Sequence, residues 1–133
     1  VTTVFADTSA FFALGCAEDQ AHHAARKAWR GLRGRDVELV TTSYVLLETS
    51  ALLQRRLGLE SVRSFREDVA PLVRVLWVDE ELHEQGLDLL LSRGKRDLSL
   101  VDAVSFVVCR AQGIEEAFAF DRHFTEEGFS PVR

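Results

Sequence analysis

The chain has 133 residues, 47% of them apolar, with 21 acidic residues against 16 basic ones and a formal charge of −5. That length fits one domain, spanning 1–133, which buries roughly two-thirds of its unfolded surface and needs no disulfide or structural metal to hold a core. The composition excludes wholesale disorder, argues against a passive nucleic-acid binder, and contains no apolar run near the roughly 20 residues of a membrane span. Val4-Phe5-Ala6 is an apolar run that stops at Asp7, predicting a buried strand over 2–6. Asp7-Thr8-Ser9 then offers capping groups to a short helix over 10–16. Ala21, Ala24, Ala25, Ala28 and Leu32 recur at helical spacing, so 19–32 reads as a helix ended by Gly31 and Gly34. A second strand is predicted over 37–41. Ser43 is placed to cap a helix over 44–57, with Gly58 as its stop, and 60–69 reads as another amphipathic helix. Pro71 breaks the chain before a third strand over 72–78. Asp79 caps a helix running to about Ser92, and 93–97 is a charged loop. Ser99 opens a helix to Gln112, closed by Gly113, and a fourth strand over 117–120 ends at Asp121. The tail, 122–133, is expected to hold one short turn and a short edge strand near Val132.

Strands that alternate with helices imply right-handed crossovers and a parallel sheet covered by helices on both faces, an α/β fold. In such sheets the ligand crevice lies beyond the carboxyl ends of the strands, where Asp7 and Asp121 both fall. Cys16 and Cys109 cannot make a disulfide framework, and no C-x-x-C is present. They read as small buried hydrophobes in a reducing compartment. The N-terminus lacks the basic flank and apolar core of a signal peptide, so a cytoplasmic location is expected.

Four carboxylates sit where acids are costly. Asp7 follows the first strand, Glu48 lies inside an apolar helix, Asp102 lies inside Leu98-Ser99-Leu100-Val101-Asp102-Ala103-Val104, and Asp121 follows Ala117-Phe118-Ala119-Phe120. Asp and Glu are almost never fully buried without partners. Each also has a plainer reading: Asp7 as an N-cap, Asp102 as part of a capping box with Ser99, Glu48 on a solvated stripe or paired with an Arg, Asp121 as a turn residue. Jointly they point to one edge of one sheet. Two charges about 4 Å apart repel by roughly 4 kcal/mol at an effective dielectric near 20. Four such groups must share protons, pair with Arg or bind a cation, and no Lys lies within four residues of any of them. An all-oxygen site suits Mg²⁺ or Mn²⁺, and such ions polarise phosphoryl oxygens and activate water. Metal-assisted phosphodiester hydrolysis is the chemistry that follows.

The ordered blocks resemble the PIN-domain ribonucleases, specifically the VapC-type toxins of VapBC toxin–antitoxin pairs. The resemblance is carried by Val4-Phe5-Ala6-Asp7-Thr8-Ser9, Thr42-Ser43-Tyr44-Val45-Leu46-Leu47-Glu48, Asp97-Leu98-Ser99-Leu100-Val101-Asp102, and Ala117-Phe118-Ala119-Phe120-Asp121-Arg122-His123-Phe124. It implies a three-layer sandwich and a Mg²⁺- or Mn²⁺-dependent endoribonuclease. Asp7 and Asp102 are implied as direct ligands, with Glu48 and Asp121 completing the shell or orienting the attacking water. Ser9 and Ser99 stand where the family has hydroxyls near the site, with helix capping as the alternative. Many relatives carry a further acid two positions after the fourth; here that slot is His123. The departure speaks against a fully formed second metal site. It leaves His123 open between contacting phosphate or metal and being a solvated turn residue. His22 and His23 read as a solvated face.

The resemblance further implies a single-stranded or structured RNA substrate, an antitoxin partner, a homodimer and no membrane. Arg55, Arg56, Arg93, Lys95, Arg96 and Arg122 are candidates for a basic rim that draws RNA past the acids, or a solvated face. Phe11, Phe12, Leu14 and Trp29 are candidates for an antitoxin groove or for the core. Two other functions compete. One is a non-catalytic interaction module on the same fold. The other is phosphotransfer on Asp7, against which stands Ser9 in the slot where such phosphatases carry their second acid.

Overall fold

A computed structural model describes residues 1–132; Arg133, the end of the predicted tail, lies outside the described residues. Five parallel strands form one sheet in the order β3-β2-β1-β4-β5. They are β1 (Thr2–Ala6), β2 (Val37–Thr42), β3 (Arg74–Leu76), β4 (Glu116–Phe118) and β5 (Ser130–Pro131). The helices are α1 (Thr8–Gly15), α2 (His22–Arg33), α3 (Ser43–Leu57), α4 (Leu59–Ser64), α5 (Glu80–Arg93), α6 (Leu100–Gln112) and α7 (Arg122–Glu126). The chain runs outward from β1 to β3 and then returns to the other side of β1 to lay down β4 and β5. Right-handed crossovers therefore put α1–α4 on one face and α5–α7 on the other. The packing agrees: α1 meets α2 and α3, α3 meets α4, and α5 lies along α6. The expected α/β sandwich, a parallel sheet with helices on both faces, is the fold observed.

The sense of the winding reverses between β1 and β4, which makes their carboxyl ends the switch point where α/β sheets open a crevice. Phe5 pairs with Ala117 and Ala6 with Phe118, and the Asp7 N–H continues the ladder by donating to the Phe118 carbonyl at 3.0 Å. Val4, Phe5 and Ala6 are fully buried, as a strand covered on both faces must be. On the α6 side, Phe106 meets Phe124 edge-on at 5.0 Å and stacks with Phe129 at 5.7 Å, so the tail is part of the core.

Several boundaries differ from the sequence reading. The cap of α3 is Thr42, not Ser43: Thr42 ends β2 in extended conformation and its Oγ1 accepts from the Val45 N–H at 3.2 Å. Ser43 Oγ instead accepts from the Val78 N–H. The helix expected over 60–69 is α-helical only through Ser64. It widens to a π-helical turn over Phe65–Val69, then tightens to a 3₁₀ turn, Ala70–Leu72, around Pro71. That turn takes the start of the predicted third strand, leaving three paired residues and Trp77 exposed. The fourth strand stops at Phe118 because the Phe120 N–H turns to Ser9 Oγ rather than to a neighbouring strand. Gly31 lies inside α2, and Gly34 alone ends it.

Candidate active site

Asp7 leaves the end of β1 as the N-cap of α1. Ser9 donates to its Oδ2 twice, from Oγ at 2.7 Å and from N–H at 3.1 Å. Ser9 Oγ in turn accepts from the Phe120 N–H at 2.9 Å, tying the ends of β1 and β4 together. Capping thus uses one carboxylate oxygen. The other, Oδ1, is buried and has no hydrogen-bond partner among the described residues. A buried, unsatisfied carboxylate oxygen is costly and calls for an explanation.

Asp102 sits in the first turn of α6, whose N-cap Ser99 accepts from the Asp102 N–H at 3.0 Å. Ser99 satisfies the backbone and leaves the Asp102 carboxylate to face the strand ends. Asp121 caps α7, its Oδ1 accepting from the His123 N–H at 2.8 Å. Glu48 lies half-buried on α3, and buried threonines set the position of that helix. Thr49 Oγ1 donates to Thr8 Oγ1 at 3.0 Å, Thr8 Oγ1 donates to the Val45 carbonyl at 3.4 Å, and Thr41 Oγ1 donates to the Ala6 carbonyl at 2.7 Å.

The four acids feel one another. Burial pushes the Asp7 carboxyl up to about 6 against the lowering effect of its Ser9 bonds, and the charges of Glu48 and Asp121 add to the rise. Burial pushes Asp102 up to about 7, and the largest of the charges acting on it is that of Asp7, followed by Asp121 and Glu48. Asp7 is 2% exposed and Asp102 6%. Of the four predicted acids, the structure brings only Asp102 and Asp121 to ligand spacing, with His123 as the third donor within 4.8 Å, among the described residues. Asp7, with its unpartnered oxygen, and Glu48 act on Asp102 through their charge, and carboxylates so placed suit a hard divalent cation.

His123 is not a solvated turn residue. It is 8% exposed, because Phe124 beside it is pulled into the core, and its ring is wedged among acids. Nδ1 lies 2.6 Å from Asp121 Oδ1 and 3.8 Å from Asp102 Oδ2, and Nε2 lies 3.3 Å from Asp97 Oδ2. Burial works against the imidazolium, but the charge and hydrogen bond of Asp121, then Asp97 and Asp102, outweigh it and raise the pKa. Asp97, read from sequence only as the end of a charged loop, also binds Arg122. Its place in the block before Ser99 was the available signal. His22 likewise departs from the solvated-face reading, since its Nδ1 lies 2.7 Å from the Ala13 carbonyl; His23 is exposed.

The predicted basic rim divides. Arg93 is committed to Glu127, Arg122 to Asp97 and Glu126, and Arg56 lies over the Phe12 ring. Arg55, Lys95 and Arg96 are exposed and make no ion pair among the described residues. Of the candidate groove residues, Phe11 and Leu14 line a cavity of about 270 Å³ with Leu53, Phe65 and Val69, whereas Phe12 packs into the core and Trp29 lies against Phe118. Among the described residues no helix is long and apolar enough to cross a membrane.

Residues 4–129 match the family model of the PIN domain. The chain is 39% identical over 131 residues to the 23S rRNA-specific endonuclease VapC20 of Mycobacterium tuberculosis, covering 98% of each. The crystal structure of VapC20, described as a sarcin–ricin loop cleaving toxin, superposes with a TM-score of 0.85 at 37% identity over 95% of both chains. PAE2754 from Pyrobaculum aerophilum superposes with a TM-score of 0.64 at 25% identity, over 98% of this chain and 92% of that one. FitAcB from Neisseria gonorrhoeae shares the fold at 15% identity and a TM-score of 0.63, over 98% of this chain and 96% of that one.

Proposed function

The chain belongs to the PIN-domain family, and from that premise we propose that it is a divalent-metal-dependent endoribonuclease, the toxin of a VapBC-type toxin–antitoxin pair. The observation that carries the chemistry is the buried oxygen of Asp7 that lacks a partner among the described residues, at the switch point of the sheet, where burial and neighbouring carboxylates raise the pKa of Asp7 and Asp102. Asp7, Glu48, Asp102 and Asp121 hold the cation, Mg²⁺ or Mn²⁺, with Asp7 and Asp102 as direct ligands. When bound, such an ion polarises a phosphoryl oxygen and lowers the pKa of a water. The protein's own part is positional. Ser9 fixes one oxygen of Asp7 so that the other points away from the cap, Ser99 takes up the backbone that the Asp102 carboxylate would otherwise satisfy, and the Thr8–Thr49 bond seats Glu48.

The substrate is RNA, and the sarcin–ricin loop named for VapC20 is the first RNA to assay. Arg55, Lys95 and Arg96 are the phosphate contacts that offset the negative site. The cavity between α1, α3 and α4 receives an apolar antitoxin segment, and the protein pairs as a homodimer, which sedimentation checks. Purified protein cuts the RNA with Mg²⁺ or Mn²⁺ and stops on chelation. Asp7→Asn and Asp102→Asn each lower the rate by about two orders of magnitude or more while remaining folded. Undiminished cutting by either folded variant removes the assigned chemistry.

A further inference from the structure

We propose that Asp102, Asp121 and Nδ1 of His123 form a mixed nitrogen–oxygen position for a divalent transition-metal ion, with Asp97 holding the imidazole from behind. The inference deepens the cation-site reading of the four acids and rests on it. One donor atom from each of Asp102, Asp121 and His123 lies within 4.8 Å of the other two. Donors at right angles around an ion with bonds of about 2.1 Å stand about 3 Å apart. The Nδ1 separations of 2.6 Å to Asp121 and 3.8 Å to Asp102 bracket that spacing.

Two independent features point to a ligand rather than to a fortuitous cluster. The first is how the ring is held. A histidine that ligates a metal through one nitrogen almost always gives the proton on the other to a carboxylate or carbonyl, which fixes the tautomer and the ring plane. Asp97 occupies that place at Nε2, anchored in turn by Arg122, and the arrangement turns Nδ1 toward Asp102 and Asp121, where a cation would replace its proton. The second is Asp7, 2% exposed, whose Oδ1 has no partner among the described residues and whose charge is the strongest acting on Asp102. Asp7 and His123 thus both act on Asp102, the first through its charge and the second through Nδ1, 3.8 Å from Oδ2.

An imidazole donor changes which ion is preferred. Carboxylate and water suit Mg²⁺, whereas nitrogen donors favour transition ions in the Irving–Williams order. The site therefore selects Mn²⁺ over Mg²⁺ through His123.

The test uses the full chain with Mn²⁺ and Mg²⁺ as probes and reads binding rather than RNA cutting. Electron spin-echo modulation of bound Mn²⁺ detects a directly coordinated ¹⁴N. The wild-type protein shows it, His83→Gln retains it, and His123→Gln loses it. By titration calorimetry His123→Gln weakens Mn²⁺ about ten- to a hundredfold and leaves Mg²⁺ within about twofold. His123→Asp, an all-oxygen set, binds both ions without the nitrogen signal. Wild-type protein that binds Mn²⁺ without ¹⁴N coupling overturns the proposal and leaves the four-acid reading intact. That result needs no variant to fold. Failure of the wild type to bind either ion overturns both.

Discussion

Asp7 and Asp102 show how a single side chain serves the fold and the site at once. Asp7 caps α1 with one oxygen and keeps the other without a partner among the described residues, so the capping reading accounts for one atom and leaves the other for the proposed cation. The position of the acids was legible in sequence because a carboxylate inside an apolar run has no cheap structural excuse. The surroundings of His123 were not, because its burial depends on Phe124 reaching Phe106 across the sheet's far face. The raised carboxyls fix the sign of a pH effect. Both have folded pKa values above the ordinary 3.8, about 6 and about 7, so between about pH 4 and pH 7 the folded protein binds more protons than the unfolded chain. Stability of the metal-free protein therefore falls as pH rises through that window, by a few kcal/mol in total. The raised pKa of His123 acts in the same direction, its contribution being lost as pH rises above the ordinary histidine range. Denaturant melts in chelator should show a lower midpoint at about pH 8 than at about pH 5, and added Mn²⁺ should recover most of the difference. Asp102→Asn should raise the metal-free midpoint at the higher pH and abolish the recovery. A flat profile in chelator would mean that these acids are solvated and paired.

At the scale of elements, the local signals held where one residue type decides the geometry. Asp79 caps α5 with its side chain on the Leu82 N–H, and Gly94 and Gly113 close α5 and α6 at φ near +65°. They failed where neighbours compete: Thr42 displaced Ser43 as a cap because the strand register delivers it in extended conformation. The contact that aims Asp102 was also hidden. Gly86 of α5 faces α6, and a Cβ there would lie 2.4 Å from Val104 Cγ2, inside any tolerable contact. Val104 is fully buried and stiff at χ1, so it cannot move aside cheaply. Gly86→Ala should cost about 1–3 kcal/mol, despite alanine's better helix propensity. Because Asp102 is half a turn from Val104, the same variant should weaken Mn²⁺ binding. A Gly86→Ala protein with an unchanged melting temperature would show that α5 and α6 are free to part. The same helix pair is clamped to the tail by Glu127, held down to a pKa of about 2 by hydrogen bonds from Arg93 and Arg110, against burial. A lowered carboxyl contributes above the ordinary 4.5 and is lost as pH falls toward 2. Glu127→Gln should therefore cost about 1 kcal/mol near neutrality, discounted for solvent screening, and nothing near pH 2.

Across the whole molecule, the strand order does what no local motif can. Carboxylates at positions 7, 48, 102 and 121 come close enough for their charges to act on Asp7 and Asp102 because β4 is laid beside β1 after the chain has wound out to β3 and back, which brings the ends of β1 and β4 to one edge with α3 and α6. That convergence was legible only as an inference from alternating strands and helices; the distances were not. The same topology spreads the basic residues unevenly. Arg93 and Arg122, both counted in the predicted rim, are spent on Glu127 and Asp97, so among the described residues the free positive charge of that rim comes down to Lys95 and Arg96, joined by Arg55 at the far end of α3. A protein of net charge −5 gains little from general attraction to RNA, and its affinity should rest on these few contacts. The slope of log K against log salt should accordingly be shallow, about −2 to −3 for single-stranded RNA, and each of Lys95→Ala and Arg96→Ala should lower its magnitude by about 0.7. Arg122→Ala should behave differently. It removes a partner of Asp97 more than a phosphate contact, so it should leave the salt slope near the wild-type value and weaken Mn²⁺ binding instead. Binding titrations with a catalytically dead Asp7→Asn protein across a salt series separate the two classes. Equal slopes for all three arginine and lysine variants would dissolve the division between rim and anchor.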